Sequence, residues 1–349
     1  MDGKAKLKRN MHGLMFILKA VSMKKYHVLK PGQYKIWWSE KNIVYHTACS
    51  GFCAYFPRQE MNRFLDGFSF RIRQSQGGDC FRGQAILFTL NGEYKVFDLE
   101  KSRILTCLPE EKKRLVWDNI RHFRGCLNVT VLEVNEKGII EKYIPYRNRD
   151  LWTEDEVRAG YLEILDDQMR LTLRAKREYV KNGREILKEI MDYGISEISG
   201  LCRRIEKNTG FDVDIPFIRQ HGDVHFGNVL FCGKEHFYID FEYARTESFL
   251  FDLFNCIYVE MTDRHSLILA EDFFSRQQEF ADRYKAIFEN VGMRYQEQRN
   301  KDYFLLFLLS RIRFDIGSAF RRFPKCRRKK YFDLLLRKYN GVLGYLEGI

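Results

Sequence analysis

Between positions 221 and 243 the chain reads His221-Gly222-Asp223-Val224-His225-Phe226-Gly227-Asn228-Val229-Leu230-Phe231. A turn at Cys232 to Glu235 follows, and then His236-Phe237-Tyr238-Ile239-Asp240-Phe241-Glu242-Tyr243. Polar groups stand here against apolar strands. Asp223 and Asn228 flank a loop that opens a strand from Val229 to Phe231, and Asp240 closes a partner strand from Phe237 to Ile239, so a hairpin brings Asn228 and Asp240 together. Phosphoryl transfer asks for such a set. One carboxylate orients the acceptor hydroxyl and takes its proton, while a carboxamide and a second carboxylate hold Mg²⁺ on the nucleotide phosphates. Each side chain alone has an ordinary explanation, since Asp and Asn make turns and cap strand ends. Their coincidence does not: His-Gly-Asp, an Asn five residues after the Asp and an Ile-Asp closing a strand twelve residues later occur together.

These two segments resemble those of the aminoglycoside phosphotransferase and choline/ethanolamine kinase group of protein-kinase-like small-molecule kinases. HGDVHFGN is similar to that group's catalytic loop and YIDFEYA to its metal-binding segment, with wording nearest the choline kinase branch. The resemblance implies that Asp223 is the catalytic base, that Asn228 and Asp240 are Mg²⁺ ligands and that Glu242 is a further carboxylate around the metal. It also implies that Asp252, in Phe251-Asp252-Leu253, braces the catalytic loop. His221 is expected to brace the same loop through its backbone. His225 is open between substrate contact and a solvent-facing role, because His-x-x-x-His binds zinc on a helix face and this segment is a loop.

The elements that must position these groups follow from local patterns. Ala85 to Leu90, Tyr94 to Leu99 and Arg103 to Leu108 read as three antiparallel strands with turns at Asn91-Gly92 and at Glu100 to Ser102. Pro109 opens a helix with Glu110 and Glu111 at the positive end of its dipole and Leu115, Val116, Ile120 and Phe123 at helical spacing. Val129 to Val134 and Gly138 to Ile144 form another hairpin, closed by Pro145. Thr153-x-x-Glu156 is a capping box ahead of an apolar helix face. A long helical pattern from Gln168 to Glu206 follows, and after the strand-rich segment 218–244 the remainder is helical. The expectation is an α+β, protein-kinase-like, two-lobed fold: residues 1–80 an unassigned N-terminal extension, 81–146 a small β-rich nucleotide-binding lobe, and 147–349 a larger, mainly helical catalytic and substrate lobe. The length of 349 residues agrees with two lobes at about 150 residues per domain.

The small lobe departs from the kinase pattern. Such a lobe normally carries a Lys on its third strand for the α and β phosphates, yet Arg103-Ile104-Leu105-Thr106-Cys107-Leu108 has none in its middle, and no Gly-rich phosphate loop precedes it. Arg103 first and Lys95 second are the candidate replacements. Tyr143 and Ile144, where the last strand ends, are the other expected nucleotide contacts.

Lys and Arg number 59 against 47 Asp and Glu, a net charge of +12. Nine basic residues and one acid fall between Arg311 and Lys330. Clustered charge of this kind is either a solvated helix face or a contact with an anionic membrane surface or phosphorylated glycan. Nucleic acid is disfavoured, because no recognition motif accompanies the charge. Phe304, Phe307, Phe314 and Phe320 recur at spacings that a helix buries. The nine scattered Cys read as reduced thiols, and with no signal-peptide core and no run of about 18 apolar residues in the sequence the expectation is a cytoplasmic protein, at most peripheral at the inner face of the membrane.

The expected function is therefore ATP- and Mg²⁺-dependent transfer of the γ-phosphoryl group to a hydroxyl of a small polar molecule or an envelope glycan. The competing class is a catalytically weak or dead kinase-like scaffold, such as those of spore coats. A choline-type acceptor would draw on Tyr243, Phe249, Phe251 and Tyr258 with Glu242 and Glu260. The basic charge ranks sugars, glycans and amino alcohols above aminoglycosides.

Overall fold

A computed structural model describes residues 28–38, 42–48, 69–72, 81–88, 93–207 and 213–349. The chain divides into two compact units, Met1–His122 with Val129–Asn148 and Cys232–Glu235, and Phe123–Asn128 with Arg149–Phe231 and His236–Ile349. The first is built on a sheet and the second is mainly helical, the α+β organisation that the motifs imply.

Eight strands make the sheet of the first unit: β1 (Gly32–Trp38), β2 (Asn42–His46), β3 (Ser69–Ile72), β4 (Ala85–Phe88), β5 (Tyr94–Asp98), β6 (Arg103–Cys107), β7 (Val131–Asn135) and β8 (Gly138–Lys142). Their order is β3-β1-β2-β4-β5-β6-β8-β7, with every neighbouring pair antiparallel. Helix α1 (Glu110–Phe123) joins β6 to β7. The meander, helix and hairpin read from the sequence are thus present as β4 to β8. The turn at Asn91-Gly92 lies outside the described residues, and β1 to β3 come from the part of the chain left unassigned by sequence. Alternation gives the sheet two faces. Ile86, Phe88, Val96, Leu105 and Ile140 pack with Val28, Leu29 and Tyr34 on one, while Ala85, Phe97, Ile104 and Tyr143 pack on the other.

In the second unit α2 (Glu154–Arg174) starts at the expected box, with the Thr153 hydroxyl accepting from the Glu156 N–H and the Glu156 carboxylate from the Thr153 N–H. The single helical pattern expected over 168–206 is corrected. Helix α2 ends at Arg174, and Tyr179–Asn182 is strand β9. Helices α3 (Gly183–Met191) and α4 (Ser196–Lys207) follow, separated by Gly194 at φ +66°. The physical reason is non-local: β9 pairs with β10 (Asp214–Gln220), Val180 opposite Pro216, and periodicity within one segment cannot see that partner. Asn182 then caps α3 in a second capping box.

Strands β11 (Val229–Cys232) and β12 (Glu235–Tyr238) form the hairpin, and β13 (Arg245–Ser248) pairs with β10. Five helices complete the unit: α5 (Leu250–Asp263), α6 (Ile268–Phe274), α7 (Gln278–Asn290), α8 (Asn300–Arg322) and α9 (Lys325–Gly348). Helix α5 is buried almost all round, the mark of a central helix. Phe304 and Phe307 of α8 are in the core, as their spacing requires. Phe320 is not: it is exposed under the guanidinium of Arg328, whose Nε also donates to the carbonyl of Phe323. The basic stretch is also divided. Arg311 and Arg313 form inward ion pairs, while Arg321, Arg327, Lys329 and Lys330 are exposed. Among the described residues no helix is long and apolar enough to cross a membrane. The side chains of Cys107, Cys126, Cys202, Cys232 and Cys256 are free thiols.

Candidate active site

The loop between β10 and β11 carries Asp223, and Asn228 pins it. The carboxamide Nδ2 of Asn228 donates to the Asp223 carbonyl at 3.0 Å and to its Oδ2 at 2.9 Å, which leaves Asn228 Oδ1 as the acceptor end of that amide. The Ile239 N–H donates to the Asn228 carbonyl at 3.0 Å, so the β11–β12 hairpin sets Asp240 one residue from this contact. Asp240 is exposed and left-handed, at φ 67° and ψ 53°, a conformation that Asp tolerates better than most residues. Such a backbone beside a polar cluster is a feature of functional sites. Glu242 follows on a single 3₁₀ turn, Phe241–Tyr243.

Two residues one turn apart on α5 hold the loop from behind. Asp252 accepts the Gly222 N–H, and Asn255 Nδ2 donates to the Val224 carbonyl at 3.0 Å, so the backbone is fixed on both sides of Asp223. Gly222 sits at φ +84°, and a Cβ there would meet the Tyr243 carbonyl oxygen at 2.3 Å. Only glycine suits that position. His221 donates from Nε2 to the Ile239 carbonyl at 2.9 Å, tying the loop to the residue between β12 and Asp240. The second strand is anchored in turn by His236, whose Nε2 bonds to the buried carboxylate of Asp167 on α2.

The electrostatics follow from these contacts. Burial pushes the Asp223 pKa up, but the His225 imidazole beside it, with the more distant charge of Arg311, outweighs this and holds the group at about 2. The Gly227 N–H donates to His225 Nδ1 at 3.0 Å, so the proton of a neutral ring lies on Nε2, 3.6 Å from Asp223 Oδ2. Burial lowers His221 to about 4, and raises Asp252 to about 6 against the opposing Gly222 N–H. At neutral pH His221 is uncharged and Asp223 is ionised.

The residues expected to contact nucleotide separate. Lys95 alternates with Phe97, on the face shared by Ala85, Ile104 and Tyr143, and it makes no ion pair with any described residue. Arg103 lies on the opposite face, over the Phe81 ring and 3.4 Å from Asp98. Tyr143 packs edge-on against Phe97, and Ile144 is buried.

The aromatic and acidic set expected for a choline-type acceptor is not an open cage. Phe249, Phe251 and Tyr258 are 1%, 0% and 3% exposed. Arg245 stands 4.6 Å from the Phe251 ring centre and 3.7 Å from that of Phe314, Arg311 stands 5.4 Å from that of Tyr258, and Glu260 is buried against Arg149. The protein's own guanidinium groups stand over the rings of Phe251 and Tyr258 that a ligand cation would need. Sequence reasoning missed Asn255 and Arg311. The signal for Asn255 was a polar residue three positions after Asp252 within the otherwise apolar run 250–259.

Residues 152–287, which include both motifs, match the family model described as the phosphotransferase enzyme family, the aminoglycoside phosphotransferase group to which the motifs point. No curated protein sequence matches the chain. Among solved structures, choline kinase LicA from Streptococcus pneumoniae is 14% identical over 74% of this chain and 91% of its own, with a TM-score of 0.44. A choline/ethanolamine kinase family protein from Mesorhizobium loti is 11% identical over 72% and 84%, at 0.41. An aminoglycoside phosphotransferase from Streptomyces rimosus is 15% identical over 65% and 89%, at 0.34.

Proposed function

We propose that the protein is an ATP- and Mg²⁺-dependent kinase that transfers the γ-phosphoryl group to a hydroxyl of a small polar molecule or a glycan. The observation that carries the reading is the contact of Asn228 with Asp223, combined with the backbone pair that sets Asp240 beside it. Asp223 receives the hydrogen bond of the acceptor hydroxyl. Held well below the usual carboxylate range, it is a weak base that is ionised at neutral pH, so it chiefly orients the hydroxyl and takes the proton late. A loose phosphoryl-transfer transition state demands little more of a base. Asn228 Oδ1, Asp240 and Glu242 are hard oxygen donors of the kind that suits Mg²⁺. When bound, that ion neutralises charge on the phosphate oxygens. Asp252 and His221 brace the loop, and Lys95 is the candidate phosphate anchor on the sheet of the first unit.

With Phe249, Phe251 and Tyr258 buried and arginines over two of them, a quaternary ammonium acceptor is disfavoured, and sugars or glycan fragments lead. The test is ATP turnover by wild type and Asp223→Asn against separate pools of sugars, glycan fragments and amino alcohols. Acceptor-dependent turnover lost in the variant supports the reading. Wild-type protein that neither turns over nor binds ATP with Mg²⁺ overturns it in favour of the scaffold.

A further inference from the structure

Arg311 belongs by sequence to the basic stretch, but it is not a surface charge. Its side chain is 16% exposed, and its guanidinium Nη1 donates to Asn255 Oδ1 at 2.6 Å. Asn255 is fully buried and uses both ends of its amide, Oδ1 toward Arg311 and Nδ2 toward the Val224 carbonyl. We infer that Arg311 is a positioning residue through which α8 and α9 set the loop carrying Asp223. This rests on the kinase reading only for its effect on turnover, since the positioning itself can be read without any substrate.

The argument is one of amide orientation. An isolated buried carboxamide can turn over and present its oxygen to the loop, where it would face the Val224 carbonyl and repel it. A guanidinium has donors only. Placed against Asn255 Oδ1, Arg311 permits a single orientation, the one with Nδ2 aimed at Val224. Arg311 is itself held from the far side. Its Nε donates to Asp315 Oδ2 at 3.3 Å, one helical turn on, and the same oxygen accepts the Tyr339 hydroxyl of α9 at 2.6 Å. Its guanidinium lies 5.4 to 5.8 Å from the ring centres of Phe251, Tyr258 and Phe314, and Asp315 and Tyr339 are buried. Four side chains from three helices, Tyr339, Asp315, Arg311 and Asn255, therefore end on the carbonyl next to Asp223. A lysine could keep the charge but has no planar fork with which to serve Asp315 and Asn255 together.

The test compares Arg311→Met, Arg311→Lys, Asn255→Leu and the double variant Arg311→Met/Asn255→Leu, in the full chain. Hydrogen exchange of the peptide 221–229 should accelerate about tenfold in Arg311→Met and Asn255→Leu, while amides of α7 keep wild-type protection. The double variant should be no faster than either single one, and Arg311→Lys should fall between Met and wild type. In the turnover assay kcat should fall on the order of 10-fold with the ATP KM within about a factor of two. Unchanged loop exchange, or singles whose effects add, overturns the inference. Should Arg311→Met fail to fold, Arg311→Lys and Asn255→Leu decide on the same readout. If wild type has no turnover, the kinase reading fails and exchange alone decides the positioning.

Discussion

Asp252 receives the Gly222 N–H on both carboxylate oxygens, at 2.9 and 3.0 Å, from a position with no solvent exposure. A buried carboxylate is costly unless its lone pairs are met. Here the loop's backbone meets them, so the element that carries Asp223 and the core helix α5 stabilise one another.

The balance is visible in pH. Asp252 is raised to about 6, so the folded protein takes up a proton below that value before the unfolded chain does, and this group adds stability as pH falls from 7 toward 4. His221, lowered to about 4, acts in the opposite sense over the same window, because the unfolded chain protonates first. Asp252→Asn removes only the favourable half. Relative to wild type, the variant should lose on the order of 1 kcal/mol more stability between pH 7 and pH 5. Denaturant unfolding at both pH values measures it, and parallel changes in the two proteins would show that Asp252 does not titrate there.

Gly222→Ala should be harmful for two separable reasons. The φ of +84° costs an alanine about 1 kcal/mol or more, and the new Cβ would sit 2.3 Å from the Tyr243 oxygen, so the loop or the turn after Asp240 must shift. Turnover should fall at least about tenfold, more than stability alone explains, since such a shift misplaces Asp223 against its acceptor. Wild-type kcat in a folded Gly222→Ala protein would mean that the loop has slack.

What the sequence disclosed and what it hid divide along one line. Thr153 with Glu156, the strands around Glu100 to Ser102, and the hairpin that joins Asn228 to Asp240 all depend on neighbours within a few residues, and their patterns were readable. Strand β9 and the path from Tyr339 to Val224 depend on partners tens of residues away. Arg311 illustrates the difference. Counted with its chain neighbours it is one of nine basic residues, and only the fold shows that its contacts are Asn255 and Asp315.

Asp240 gives a prediction in which the choice of substitution matters. Alanine would strain the left-handed backbone at φ 67°, whereas asparagine tolerates it and removes only the charge. Asp240→Asn should thus keep its unfolding midpoint without ligand within a degree or two, and lose the Mg²⁺-dependent part of the stabilisation by ATP. Thermal shift with ATP, with and without Mg²⁺, compares the two proteins. A variant that keeps the full Mg²⁺-dependent shift would remove Asp240 from the metal site.

Lys95 and Arg103 test whether, as proposed, the first unit holds phosphate without a lysine in the middle of β6. Arg103 already serves Asp98, which Lys30 also pairs at 2.9 Å, and its guanidinium covers Phe81 on the face where Val96 and Leu105 pack. Lys95 lies on the other face, opposite Thr106 in the register of β5 and β6 and beside Phe97 and Tyr143, with no carboxylate paired to it among the described residues. A charge-assisted contact to phosphate contributes about 1.5 to 3 kcal/mol, so Lys95→Ala should weaken ATP binding by about 10- to 150-fold. Arg103→Ala should leave the affinity within about threefold, because Asp98 keeps Lys30 and a half-exposed pair contributes little. Titration calorimetry with a non-hydrolysable ATP analogue and Mg²⁺ separates the two. Equal affinities in wild type and Lys95→Ala would place the anchor on another residue, and a large loss in Arg103→Ala would mean that the nucleotide uses the face of Phe81.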